Sequence, residues 1–365
     1  MKRQFLFVAA VLFGLTTSTR AQPAIDELIQ QSELKEGSLA VRELPAWDAS
    51  RTILVRDVGV QLSELLTRYG DSNIVVVTSV EEAMSHARNA GAIIGYCDDE
   101  LLAAATALAW VQIFSSGAEH CLDSPKLASG EVVLTNMQKM SAPTIAEHAV
   151  ALMLSLTRNL PQFARSMDEG QWSRGPGYTA GMSTVSGRTL LVLGLGGIGT
   201  EVAKRGETLG MRVIGTRNSS REAPPFVSYV GLSDEMLTLA EEAHIIVNAL
   251  PLTDATRGLI DAEFFAATQN GSYFINVGRG GTVVTNDLVA ALQSGRLAGA
   301  GLDVTDPEPL PPDHPLWELD KVIITPHVSA RGSDRSRHML LMMENIRRYI
   351  AGDALLNVVD PKKGY

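Results

Sequence analysis

Cysteine is nearly absent: Cys97 and Cys121 are the only two in 365 residues, too few for a disulfide framework or a cysteine-rich metal centre. Both are expected as buried or inert thiols, with a bridge as the minor alternative, since sequence carries no distance between them. Positive charge is in deficit, with 31 basic against 41 acidic side chains for a net −10. That balance repels a phosphate backbone and argues against general nucleic-acid binding, and no basic block offsets it. Long apolar runs are missing too. The candidate run, Phe5–Leu15, is too short for a stable helical membrane span. It follows Lys2 and Arg3 and precedes Thr19-Arg20-Ala21, which places small residues where a signal peptidase reads. A signal peptide over 1–21 is therefore expected, with a periplasmic or secreted product, or a cytoplasmic one if the signal is unused. Lys2-Arg3-Gln4-Phe5-Leu6 is one substitution from a twin-arginine motif, the signature of export in the folded state. No internal repeat or low-complexity tract is present.

What is present is apolar material in quantity. Hydrophobic residues make up 45% of the chain, enough for about two domains of roughly 150 residues each. Short β-branched runs at Thr52–Arg56, Asn73–Thr78, Ala92–Tyr96, Val111–Phe114 and Val132–Leu134 alternate with helical patterns, which implies parallel βαβ units. Apolar residues at helical spacing (Ile145, Ala149, Leu152, Met153, Leu156) predict one linking helix from about Thr144 to Met167. A second alternation follows, with strands near Thr189–Leu193, Arg212–Thr216, Ile245–Ala249, Tyr273–Val277, Gly299–Val304 and Val322–Thr325, suited to a doubly wound sheet. A last helix is expected around Asp334 to Ile350, followed by an extended tail at Asn357–Pro361.

After the first strand of that second series comes Gly194-Leu195-Gly196-Gly197-Ile198-Gly199. Such a turn is weak evidence alone, but a buried-strand pattern precedes it and a helical stretch, Thr200 to Leu209, follows. In that setting the first glycine permits a tight turn, the second lets backbone approach a pyrophosphate, and the third lets the helix pack on the strand. The pyrophosphate would rest at the helix N-terminus, where unpaired N–H groups and the dipole favour anions. A nucleotide-hydrolase loop is excluded, because Thr200-Glu201 stands where Lys and then Ser or Thr are needed. At the end of the next strand an acidic residue would select NAD by accepting from the ribose 2′-hydroxyl. Arg217 stands there instead, with Asn218, Ser219, Ser220 and Arg221 behind it. These donors suit a 2′-phosphate, so NADP is expected, with NAD as the alternative.

Three polar positions follow later strands: Arg279 within Asn276–Gly281, Glu308 within Asp303–Pro309, and His327 in Thr325-Pro326-His327. Ligands of an open α/β sheet bind beyond the carboxyl ends of its strands, so all three can face one cleft. They are suitable parts for reducing a keto acid. An imidazolium can protonate the oxygen that gains charge, while a guanidinium fork holds a carboxylate at two points. A carboxylate beside an imidazole favours the protonated form. His120, His148 and His314 have no partners at metal-ligand spacing, so no metal is expected.

Taken in order, Gly194–Gly199, Asn276–Gly281, Asp303–Pro309, Pro315-Leu316-Trp317 and Thr325-Pro326-His327 resemble the D-isomer-specific 2-hydroxyacid dehydrogenase family. The resemblance runs from about Ala92 to Tyr365. It implies an α/β protein of two domains, a Rossmann dinucleotide-binding domain and a flavodoxin-like substrate-binding domain, joined by long helices. The substrate-binding domain would take 22–157 and the returning segment 331–365, and the Rossmann domain 158–330. Carried onto this chain, the resemblance implies that Arg279 fixes the substrate carboxylate and polarises its carbonyl. His327 would exchange the proton and Glu308 would pair with His327. Asp303 would meet the nicotinamide carboxamide, and backbone amides of Ser115-Ser116-Gly117-Ala118 would receive the carboxylate. Arg217 resembles the NADP-using branch that reduces glyoxylate and hydroxypyruvate, which implies small 2-keto or 2-hydroxy acids as substrates. A two-fold homodimer is implied as well.

The chain departs from the common pattern at Val328-Ser329-Ala330, where many members carry paired glycines, and at Glu119-His120 in the substrate loop. Both segments border the expected substrate. The alternatives are a dehydrogenase of another small anion, such as formate or phosphite, and a non-catalytic nucleotide-sensing protein on the same fold.

Overall fold

The computed structural model describes residues 18–59, 73–218 and 220–364. The expected signal peptide therefore lies almost wholly outside the described residues, as does Ser219. No described helix is long and apolar enough to cross a membrane. The chain divides into two compact units, one drawn from Met1–Phe114, Val132–Thr135 and Arg335–Val358, the other from Ser115–Glu131, Asn136–Asp334 and Val359–Tyr365.

The first unit carries β1 (Glu36–Ala40), β2 (Thr52–Arg56), β3 (Ile74–Val77), β4 (Ala90–Ile94), β5 (Trp110–Gln112) and β6 (Val133–Thr135). Strands β2 to β6 form a parallel sheet of order β3-β2-β4-β5-β6. Counted from β2 this is the 2-1-3-4-5 winding of flavodoxin-like folds. Such sheets are covered on both faces, which is why β4 reads as an unbroken apolar run and is buried at every position. The helix Arg335–Ala351 returns the chain to this unit, where buried Asn345 donates to Gln112 Oε1 at 3.0 Å.

The second unit holds β7 (Thr189–Leu193), β8 (Arg212–Thr216), β9 (Tyr229–Gly231), β10 (Ile245–Asn248), β11 (Ser272–Asn276), β12 (Leu297–Leu302) and β13 (Val322–Ile324). They pair in parallel in the order β13-β12-β11-β10-β7-β8-β9. The winding reverses between β7 and β10, and ligands of such sheets bind at that switch point, beyond the carboxyl ends of the strands. The sheet has seven strands rather than the six expected. The addition, β9, spans only three residues at the sheet edge, too few to show a period.

Two other expectations are corrected. The single linking helix is two, Ala142–Thr157 and Leu160–Asp168. Asn159 takes a left-handed φ of 54° between them and Pro161 has no N–H to continue the ladder. The first of these helices belongs to the second unit. Its Ile145, Ala149, Leu152, Met153 and Leu156 share one core with Leu190, Val192 and Val202, each large aliphatic side chain contributing roughly 1.5–3 kcal/mol. Between the helix Arg335–Ala351 and the tail expected at Asn357–Pro361, β14 (Ala354–Leu356) pairs antiparallel with β1, two strands that sequence patterning missed. The two cysteines, expected as inert thiols, are disulfide-bonded. Cys121 Sγ also lies 3.3 Å from His120 Nε2.

Candidate active site

Gly194 ends β7 with φ +87°, a region that favours glycine. Its N–H donates to Thr216 Oγ1 at 3.1 Å, and Leu195 N–H donates to Thr216 O at 2.9 Å, so the turn is pinned to the end of β8. At Gly199 a Cβ would stand 2.0 Å from Gly194 O, so the helix Gly197–Thr208 can start here only on a glycine. Gly196 differs. A Cβ there would meet nothing within 4 Å, so protein packing does not require the glycine, whereas close approach of a pyrophosphate does. The first helical donation is from Thr200 N–H to Gly196 O at 2.9 Å, which leaves the N–H groups of Gly197, Ile198 and Gly199 directed at the helix N-terminus. Sequence reasoning passed over Lys139. Its Cγ lies 2.8 Å from the position of a Cβ on Gly197, and its own φ is 72°.

Arg217 follows β8 and donates its N–H to Gly231 O at 3.0 Å. Its Nε is buried without a hydrogen-bond partner among the described residues. A buried N–H left unpaired is costly, and a phosphate oxygen would relieve it. Asn218 is exposed beside it. Arg221 is not a spare donor: it bridges to Glu235 at 2.6 Å and donates to the Tyr229 hydroxyl at 3.0 Å. Tyr229 belongs to β9, the strand that sequence patterning missed.

Arg279 follows β11, and its backbone is fixed by buried polar groups. Asn276 Oδ1 accepts from Asn248 Nδ2 at 3.0 Å and from Gly278 N–H at 3.1 Å, while Thr282 Oγ1 donates to Arg279 O at 2.7 Å. The side chain donates from Nε to Glu119 Oε1 at 2.8 Å and from Nη1 to Gly278 O at 2.9 Å. The expected substrate loop is placed against this guanidinium, since a Cβ on Gly117 would lie 2.0 Å from Arg279 Nη2. Ser115 Oγ donates to Gly117 O at 2.8 Å and Asn136 Nδ2 to Ser116 O at 2.7 Å, which shapes the loop through its carbonyls. The N–H groups of Ser116, Gly117 and Ala118 donate to no acceptor among the described residues. Glu119 was visible in the sequence, but its engagement of Arg279 spans 160 positions and left no local signal.

His327 follows β13 in the left-handed region, φ 52°, an uncommon backbone for a residue with a side chain and one that collects at functional sites. Its N–H donates to Asp303 O at 2.8 Å and to Thr325 O at 2.9 Å. Buried Asp303 accepts from Thr325 Oγ1 at 2.7 Å and from the N–H groups of Val328 and Ser329, both at 3.0 Å. Burial pushes its carboxyl pKa up, but hydrogen bonds from Ser329, Thr325 and the Val328 N–H outweigh burial and hold it below the ordinary value. Asp303 thus anchors the segment that carries His327. Behind it, His148 Nε2 lies 2.9 Å from Thr325 Oγ1. His327 Nδ1 lies 2.6 Å from Glu308 Oε1, both side chains partly exposed. With Nδ1–H directed at the carboxylate, Nε2 is the nitrogen free to exchange a proton with a ligand.

The His327–Glu308 pair can move protons but not electrons, and the glycine turn on the same sheet is built for a carrier of electrons. Fold and site together define a nicotinamide-dependent oxidoreductase. Comparison with known proteins narrows the class. The NAD binding domain of the D-isomer specific 2-hydroxyacid dehydrogenases matches residues 150–329. The glyoxylate reductase/hydroxypyruvate reductase of Mus musculus is 36% identical over 270 residues, 71% of this chain and 79% of that one. A D-isomer specific 2-hydroxyacid dehydrogenase from Xanthobacter autotrophicus Py2, solved with NADPH and MES, has a TM-score of 0.74 at 29% identity, covering 86% of this chain and 100% of that one. An NADPH-dependent glyoxylate/hydroxypyruvate reductase from Sinorhizobium meliloti, solved with NADP and sulfate, has a TM-score of 0.72 at 25% identity, with 86% and 100% covered. The chain belongs to the D-isomer-specific 2-hydroxyacid dehydrogenase family and is an NAD(P)-dependent oxidoreductase acting on CH–OH groups.

Proposed function

We propose that this enzyme is an NADP-favouring D-2-hydroxyacid dehydrogenase that reduces small 2-keto acids of the glyoxylate and hydroxypyruvate type. The observation that carries the reading is the 2.6 Å pairing of His327 with Glu308, on the strand-end side of a sheet whose glycine turn suits a dinucleotide. Bound nicotinamide supplies the electron pair for the keto carbon. Arg279 Nη2 and the amides of Ser116, Gly117 and Ala118 hold the substrate carboxylate. His327 Nε2 delivers a proton to the carbonyl oxygen and ends neutral; in the oxidative direction it takes the proton back. Glu308 keeps Nδ1 protonated, so that Nε2 is the exchanging atom in both directions. Asp303 sets the backbone of His327 and, on this reading, borders the nicotinamide carboxamide. Homodimer formation and export belong to the same reading, supported by the family resemblance and by the 1–21 segment.

NADP preference is assigned to Arg217, with Asn218 and Ser219 beside it. Its buried Nε, without a hydrogen-bond partner among the described residues, would be satisfied by the 2′-phosphate. A panel of 2-keto acids assayed with NADPH and NADH in parallel tests both halves of the proposal. Wild type should favour NADPH, and Arg217→Asp should lower kcat/KM for NADPH by about 10- to 100-fold, the loss of one charge-assisted contact plus an added repulsion. Unchanged preference in the variant would overturn the phosphate assignment.

A further inference from the structure

We infer that Glu119 is a specificity-determining residue, which by pairing with Arg279 restricts the substrate subsite to 2-keto acids bearing a single negative charge. The inference rests on the keto-acid reading proposed above and deepens it.

A guanidinium can meet a carboxylate along its Nε–Nη2 edge or its Nη1–Nη2 end. In this chain the first is taken, because Arg279 Nε donates to Glu119 Oε1 at 2.8 Å. Nη1 is partly taken as well, turned back on Gly278 O at 2.9 Å. A Cβ at position 117 would stand 2.0 Å from Arg279 Nη2 and 2.4 Å from Glu119 Oε2, so both charged groups press on the bare backbone of Gly117. That backbone is part of the loop whose amides are assigned to the substrate carboxylate. The ion pair is neither solvated surface nor core, with side-chain exposures of 28% for Arg279 and 33% for Glu119. It forms a wall of the subsite that a ligand can reach.

The charge count follows. Arg279 and Glu119 cancel, and His327 in its proton-donating form cancels against Glu308. A monocarboxylate then meets four groups whose charges sum to zero and is held by hydrogen bonds from Nη2 and the loop amides. A second carboxylate on the substrate finds no charge left over on Arg279 and faces Glu119 as a like charge, which disfavours it.

Glu119→Gln separates charge from position, since the Gln oxygen still accepts from Arg279 Nε. Wild type and Glu119→Gln would be compared for kcat/KM with NADPH on hydroxypyruvate and on oxaloacetate. The diacid-to-monoacid ratio should rise at least about tenfold in the variant, through KM for the diacid, as expected for a like charge at a part-exposed site. Calorimetric titration of the NADP⁺-loaded protein with malonate and with oxamate supplies a readout without turnover, and the malonate-to-oxamate affinity ratio should rise similarly. Ratios that stay put in both measurements, or a parallel loss for both ligand types in a variant melting at the wild-type temperature, would show that Glu119 only positions Arg279. Failure of wild type to reduce any 2-keto acid would instead sink the proposed function, while the calorimetric ratio still decides the role of Glu119.

Discussion

Replacing His327 with Asn should lower kcat by about 10²- to 10⁴-fold, the usual contribution of a positioned acid–base group. Asparagine is the informative choice because the residue sits at φ 52°, and Asn tolerates the left-handed region better than almost any other non-glycine residue. The backbone bonds to Asp303 O and Thr325 O can therefore survive. The amide NH2 can still donate to the Glu308 carboxylate, but it does not exchange a proton near neutral pH. Steady-state kinetics with glyoxylate, alongside a fluorescence titration with NADPH, checks the point. NADPH affinity close to wild type with turnover nearly lost is the expected pattern. A kcat within a few-fold of wild type would remove His327 from the proton-transfer step.

Arg279→Ala should reduce kcat/KM for hydroxypyruvate by about 10³-fold, because two effects add. The charge-assisted contact with the substrate carboxylate disappears. Glu119, which now accepts from Arg279 Nε at 2.8 Å, is also left as an unpaired anion facing an anionic substrate. Part of the loss should therefore return in the Arg279→Ala, Glu119→Gln double variant, and a double-mutant cycle reads that coupling directly. An unchanged KM in the single variant would mean that the carboxylate binds elsewhere.

The parts of this molecule that could be read from sequence are those in which one short segment carries the whole signal. The strands Thr189–Leu193 and Arg212–Thr216 are found where the apolar runs place them, since strands covered on both faces need no periodicity. Gly194–Gly199 is legible because three backbone constraints fall within six residues, and the structure shows the tightest of them at Gly199. His327 and Glu308 were identifiable from their strand-end positions and are paired as the resemblance implied. What escaped depends on partners distant in sequence or on a single dihedral angle. The helix break turns on one left-handed asparagine, Asn159. The β1–β14 pairing joins opposite ends of the chain. Arg221 reads as a phosphate donor until Tyr229 and Glu235 are seen to hold it. That Asp303 also anchors Thr325, Val328 and Ser329 was not legible, because those partners lie 22, 25 and 26 positions further along the chain.

On the proposed function, hydride reaches one face of a 2-keto acid and the D enantiomer is formed. Chiral chromatography of the product formed from hydroxypyruvate and NADPH, with NADPH oxidation followed in the same reaction, tests it most directly. One molecule of D-glycerate per NADPH consumed is the predicted result. The L enantiomer, or no NADPH consumption with any 2-keto acid, would overturn the proposed reaction.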